Sequence, residues 1–276
     1  YAWTVPGTIE PSEGAKIVVK SGGFSAISEP FTVRGIRFTE PAAGDVWDVG
    51  TEQRPAWKFA AIDSTALATI DLSLDGGTTY TETLVTNHPL VGLPFLPWDI
   101  PADQKPTTNA MLRLTVDSSD AAADVGMVAY SDVFTLRGLK VEAPVLDASW
   151  RLGTTNTIQF TSAGMGDTFT LDYSADGGAT FDPDLIADSL VLGDGTHTVD
   201  WGVELDREPS EDAVIRISAA GGSALSDTFR IGGIRVDRPM GLDIWAAGDA
   251  NTIRWLAEGT SGTFDIDLIY RSGGHA

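Results

Sequence analysis

The stretch Phe134-Thr135-Leu136-Arg137-Gly138-Leu139-Lys140-Val141-Glu142-Ala143-Pro144 decides the reading of this chain, because the chain writes it three times. The earlier copy is Phe31-Thr32-Val33-Arg34-Gly35-Ile36-Arg37-Phe38-Thr39-Glu40-Pro41. The later copy is Phe229-Arg230-Ile231-Gly232-Gly233-Ile234-Arg235-Val236-Asp237-Arg238-Pro239. The copies lie 103 and 95 residues apart, about the length of one small β-sandwich. In each copy two strand-like runs meet at a glycine, which predicts modules coupled with almost no linker.

Outward from these joints the chain divides into four. Residues 36–138 and 139–233 read as complete modules, residues 1–35 as the closing half of a module and residues 234–276 as an opening half. The first complete module runs through Trp47-Asp48-Val49-Gly50, Trp57 and Phe59, and then Ile70, Leu72 and Leu74 alternating with Thr69, Asp71 and Ser73. That alternation predicts a strand with one apolar and one wet face. A turn signal, Asp75-Gly76-Gly77, follows, since glycine accepts the positive φ of tight hairpins. The second module repeats the plan through Trp150, Phe160, Phe169, Leu171, Tyr173, Asp176-Gly177-Gly178 and Trp201. The fourth segment gives Trp245, Trp255 and an alternation through Phe264, Ile266 and Leu268. No segment has a helical period. The prediction is all-β, a rod of tandem antiparallel sandwiches.

Composition narrows the partners. The net charge is −21, from 39 acidic and 18 basic residues. A surface so acidic repels phosphates, so neither nucleic acid nor anionic membrane is an expected partner. No apolar run reaches the length of a membrane span. Cysteine is absent, leaving stability to packing.

The eight tryptophans suggest sugar stacking, but their register argues for packing. Trp47, Trp150 and Trp245 share one repeat position, Trp57, Phe160 and Trp255 a second, and Trp3, Trp98 and Trp201 a third. A residue that returns in every module at fixed spacing is read as core. His88, His197 and His275 fall at unrelated repeat positions without ligand spacing, and no nucleophile elbow or phosphate loop is present, so no catalytic residue is assigned. The carboxylate pairs Asp117/Asp120 and Asp182/Asp184 lie in turn-like loops, where Asp is common. Acidic residues gather at the joints: Glu40 with Asp45, Glu142 with Asp147, and Asp237 with Asp243. These are the candidate calcium ligands, although none of the spacings forms a known calcium loop.

Two resemblances follow from these motifs. Ser73-Leu74-Asp75-Gly76-Gly77-Thr78-Thr79-Tyr80 and Ser174-Ala175-Asp176-Gly177-Gly178-Ala179-Thr180-Phe181 resemble the Asp-box of sialidase and other propellers, S-x-D-x-G-x-T-[WFY]. That resemblance implies an Asp that bonds turn amides and does no catalysis. The fourth copy lacks the box at Arg271. The whole pattern, a proline six residues before Trp-x-x-Gly, an aromatic ten residues later and then the D-G-G hairpin, is similar to the Ig-like (fibronectin III-like) repeats of large bacterial secreted and surface proteins. Those are related to the N-terminal domain of fungal Ser/Thr-rich cell-wall proteins of β-glucan assembly. The likeness implies an extracellular, non-catalytic spacer or assembly module. Leu146-Asp147-Ala148 departs from it where a glycine-bearing turn is usual.

Two functions stay open at this point. One is a structural stalk, sheath, surface layer or filament, with neighbouring modules of the same or adjacent chains as partners in a homopolymer. The other is an adhesin holding sugar or protein on its loops, for which the apolar loop 88–97 and the Ala-rich insert 120–126 are the candidates. The terminal halves expose strand edges and an apolar face, and are expected to be completed by more of the same chain or by a head-to-tail neighbour.

Overall fold

The computed structural model describes residues 1–6, 9–182 and 185–269, and among these it contains strands and no helix. The buried side chains form two clusters, one drawn from Phe38 to Leu136 and the other from Leu139 to Ile231. Around the first, Gly35–Glu40 pairs antiparallel with Ala56–Ala60, and Trp98–Asp99 with Glu52–Gln53. The facing sheet runs Glu82–Pro89, Leu67–Ser73, Thr107–Ser118, Phe134–Ala143. The short Val46–Asp48 lies parallel to the last of these, Val46 opposite Thr135. The second sandwich repeats the order. Phe134–Ala143, Thr155–Ala163 and Gly195–Gly202 make one sheet, and Ala187–Val191, Thr168–Ser174, Ser210–Ala219 and Phe229–Arg238 the other. Ser149–Arg151 lies parallel to Phe229–Arg238. Two facing antiparallel sheets, with a short early strand parallel to the closing one, are tandem immunoglobulin-like sandwiches.

The tryptophans pack as their spacing predicts in the two complete sandwiches. Trp57 and Trp98 are 3% and 7% exposed in one core. Trp47 meets Trp98 edge-on at 6.2 Å and Phe134 at 4.9 Å; Trp150 meets Trp201 at 6.0 Å and Phe229 at 4.7 Å. The indole N–H of Trp57 donates to the Leu90 carbonyl at 3.1 Å, so the ring is buried without an orphaned donor. Trp3 and Trp245, in the outer segments, are 47% and 42% exposed.

Three local expectations change. The face of Leu67–Ser73 expected to be wet is partly covered, because Arg113 crosses the sheet to Asp71 at 2.8 Å and lies 4.2 Å over the Tyr80 ring. The second sandwich does the same with Arg216, Asp172 and Phe181. Residues 1–6 and 259–269 form no strand, although Trp255 and Phe264 stack at 5.5 Å. The Arg271 hairpin and His275 lie outside the described residues.

The first core makes a direct prediction. Replacing Trp57 by Ala should cost about 3–5 kcal/mol, the penalty for emptying a large aromatic site, read as a lowered urea midpoint with unchanged slope. A silent Trp57→Ala would remove Trp57 from the core.

Candidate functional site at the joints

One strand builds each of the second and third joints, whereas the first is made by two, Phe31–Val33 and Gly35–Glu40, parted at Arg34. Phe134–Ala143 closes the first sandwich with its early residues, Leu136 opposite Thr107, and opens the second with its later ones, Val141 opposite Phe160. Phe229–Arg238 does the same, with Ile231 opposite Ser210 and Val236 opposite Trp255. At the crossing, Val49 donates its amide to the Arg137 carbonyl at 3.0 Å, and a Cβ on Gly138 would stand 2.5 Å from Val49 Cγ2. Leu152 repeats the contact, its amide 3.0 Å from the Gly232 carbonyl and its Cδ1 2.6 Å from where a Gly233 Cβ would be. The joint glycines therefore admit the side chain that closes the sandwich below.

Charged side chains fill the flanks of each joint. Arg137 grips Asp48 at 2.5 and 2.8 Å, and its hydrogen bond holds the Asp48 carboxyl below the usual carboxylate range. Both are nearly half exposed, so the pair contributes at most about 1 kcal/mol. Arg34 pairs with Asp124, which is fully buried. Burial works to raise Asp124, yet the Asp63 amide at 2.9 Å, Arg34 and Ser119 hold it down. Across the second joint Lys105 reaches Glu142 at 2.9 Å; across the third the polarity reverses, with Glu208 facing Arg235 at 3.7 Å. A groove of about 700 Å³ lies beside the second joint, lined by Asp48, Val49, Asp103, Arg137, Lys140 and Asp227 among others.

The six calcium candidates are engaged locally. Asp45 accepts from the Ala42 amide at 2.8 Å and Asp243 from the Met240 amide at 2.9 Å, so both cap their turns. Glu40 is raised by burial and by the neighbouring Asp45. Glu142 faces Lys105, and Asp237 accepts from Arg235 at 3.1 Å. Asp147 has φ 61° where the equivalent Gly44 has 86°. It replaces the missing glycine of its turn, a conformation Asp tolerates better than most residues. Among the described residues no three His, Cys, Asp or Glu side chains converge as a cation site.

The adhesion candidates fold inward. In the loop 88–97 Leu90 and Leu96 are buried, and backbone bonds tie Leu90 to Ala66, Leu96 to Pro55 and Trp57 to Pro94. Leu90 and Leu96 thus belong to the core, with Val91 packed against it. The insert 120–126 supplies Asp124 to the first joint. His88 and His197 come from different strands, yet each rests on the same repeat ring, Trp57 at 5.4 Å and Phe160 at 5.2 Å. Each also bonds a backbone carbonyl, of Leu93 and Gly193. Asp117 accepts from Thr69 and Asp182 from Arg207; Asp184 lies outside the described residues.

A serine unnoticed in the sequence recurs three times. Ser28, Ser131 and Ser226 each accept from a backbone amide, of Ile17, Leu112 and Ile215, at 2.8–3.0 Å. Each donates to the carbonyl of the next residue. The signal was available as Ser-[Asp/Glu]-x-Phe before each joint.

The hairpin carboxylates act on the backbone. Asp75 accepts from the Thr79 amide at 2.8 Å and hydroxyl at 2.6 Å and from Ser73 at 2.7 Å; Asp176 repeats this with Thr180 and Ser174. Hydrogen bonds from these threonines, then the serines, lower both carboxyls to about 2. The stability they add is complete above the unfolded value of about 4 and is lost as pH falls through about 2. Asp75→Asn/Asp176→Asn should lower the urea midpoint at pH 6, and the difference from the parent should shrink as the pH approaches 2. A difference independent of pH would contradict the bonding.

No protein-family model and no curated protein matches this chain. Among solved structures it is similar to the teleost fish polymeric Ig receptor ectodomain, at 12% identity over 71% of this chain and 97% of that one, TM-score 0.28. It is also similar to fibronectin(III)-like modules of Clostridium thermocellum CbhA, at 16% over 71% and 92%, TM-score 0.22. A third likeness is to titin A168–169, at 8% over 72% and 97%, TM-score 0.25. Superpositions this loose carry no argument, and the immunoglobulin-like assignment rests on the strand order itself.

Proposed function

We propose that this chain is a non-catalytic structural segment, a run of immunoglobulin-like modules divided at 1–35, 36–138, 139–233 and 234–276, within an extracellular or cell-surface stalk, sheath, surface layer or filament. The shared strand carries this reading. A strand paired in two sandwiches at once transmits position from one to the next, and a spacer needs that. The residues repeated at fixed register support it further, since they pack the core, cap turns or close the joints. The surface-protein resemblance of the sequence supports an extracellular setting, and no helix among the described residues is long and apolar enough to cross a membrane. The adhesin reading is the weaker one, because loop 88–97 and insert 120–126 are both engaged in the fold.

Small-angle scattering tests the proposal. The two sandwiches should fit one mutual arrangement, unchanged by calcium or chelator. A profile that demands a broad range of module orientations would contradict the spacer. Saturable glycan binding lost on changing one loop residue would favour the adhesin.

A further inference from the structure

The first joint is built unlike the other two. Phe134–Ala143 and Phe229–Arg238 run unbroken through theirs, whereas the first is parted at Arg34. The insert 120–126 meets the chain at this break. It belongs to the hairpin loop 119–127 that joins Thr107–Ser118 to Val128–Tyr130, and it carries the fully buried Asp124. Arg34 donates to one oxygen of Asp124, and the other oxygen accepts from the Asp63 amide at 2.9 Å and the Ser119 hydroxyl at 3.1 Å. The Asp120 amide adds a bond to the Thr65 hydroxyl at 2.9 Å. One carboxylate thus ties together the hairpin, the loop 61–66 and the arginine that ends the preceding segment.

The second module is a control within the same chain. Its hairpin loop is short, residues 220–221 joining Ser210–Ala219 to Gly222–Leu225. The loop that matches 61–66 is shorter too, residues 164–167 between Thr155–Ala163 and Thr168–Ser174. The two lengthened loops of the first module therefore occur together and bond each other. Arg137 holds the repeat position of Arg34, but it bonds Asp48 of the module below instead. Beside Arg137, Met165 and Gly221 lies the groove of about 700 Å³. At the matching place in the first joint Arg34 and Ile62 meet Ala121, Ala123 and Asp124 of the insert. At the third joint Gly232 stands where the arginine would be.

We propose that the hairpin loop 119–127 is a latch that fixes the angle of the first joint, doing through a buried ion pair what an unbroken strand does at the other two. This deepens the structural reading above and rests on it. Another ion pair across this joint, Lys58 with Glu10 at 3.5 Å, is exposed on both sides and contributes little. The Arg34–Asp124 pair differs because its carboxylate is buried. Opening the joint would leave that charge without its partner, a penalty that no exposed pair imposes. A long hairpin bearing an Asp, with an Arg before the joint glycine, therefore marks a latched joint. A hairpin as short as 220–221 marks a joint held by its strand alone.

The absence of native cysteine allows spin labels to be placed in pairs on the full chain. Labels at Glu13→Cys and Thr86→Cys span the first joint, and labels at Thr86→Cys and Thr198→Cys span the second; all three positions are exposed. Pulsed electron paramagnetic resonance of the parent should give one narrow distance for each pair. Arg34→Ala/Asp124→Ala should broaden the first distance several-fold and leave the second unchanged. That double variant strands no charge, so its urea midpoint should stay close to the parent's and the broadening reads the joint. Each single change should broaden the first distance as much as the two together, because both remove the same bond. Shortening 119–127 to the Ala-Gly of 220–221 should do the same. A broad first distance in the parent, a narrow one in the double variant, or equal broadening across both joints would each overturn the latch. None of these outcomes alters the scattering test of the spacer, which reads the second joint.

Discussion

Everything in this structure depends on a strand that belongs to two sandwiches. The hydrogen-bond ladder of Phe134–Ala143 changes partners in mid-strand, from Thr107–Ser118 to Thr155–Ala163. The change happens at Gly138, where Val49 closes the lower core. A side chain at the crossing and the Val49 side chain cannot share that space, so a glycine at the joint and an apolar residue two positions after the Trp are one constraint. The second module obeys it with Gly233 and Leu152.

Given that constraint, the repeated residues explain one another. Tryptophan pairs fill the sandwich end beside the joint, the recurring serine pins the last hairpin, and the hairpin carboxylate shapes the Asp-Gly-Gly turn. Differences between copies fall where neighbours compensate. Asp147 takes the backbone conformation of the absent glycine. The ion pairs of Lys105 with Glu142 and of Glu208 with Arg235 exchange signs, keeping attraction across each joint. Several such pairs are exposed and contribute little; Asp124 is the exception, because a buried carboxylate stripped of Arg34 would be left largely uncompensated.

Fold and repeat were legible because they are written in period and spacing. Alternation marked Leu67–Ser73, and ten-residue aromatic intervals marked the cores. The joints were legible as a glycine between two strand runs, but the reason for that glycine was not, since Val49 lies 89 residues from Gly138. Loop 88–97 looked like a contact surface because its apolarity has no period; only the fold shows Leu90 bonded back to Ala66. The acidic clusters at the joints suggested a cation because composition does not show that Asp45 and Asp243 face turn amides. Arg34 and Asp124, 90 residues apart, had no local signature at all.

The measurement closest to the central claim is a double-mutant cycle across the second joint. Gly138→Ala in the parent should be destabilising by about 1–3 kcal/mol, the usual cost of forcing atoms into a packed site. In a Val49→Ala background, where Cγ2 is gone, the same change should cost markedly less, giving a coupling well above the few tenths expected of independent sites. Additive effects of Gly138→Ala and Val49→Ala would show that the crossing glycine answers to something other than the side chain beneath it, and the shared-strand account of the joint would fail.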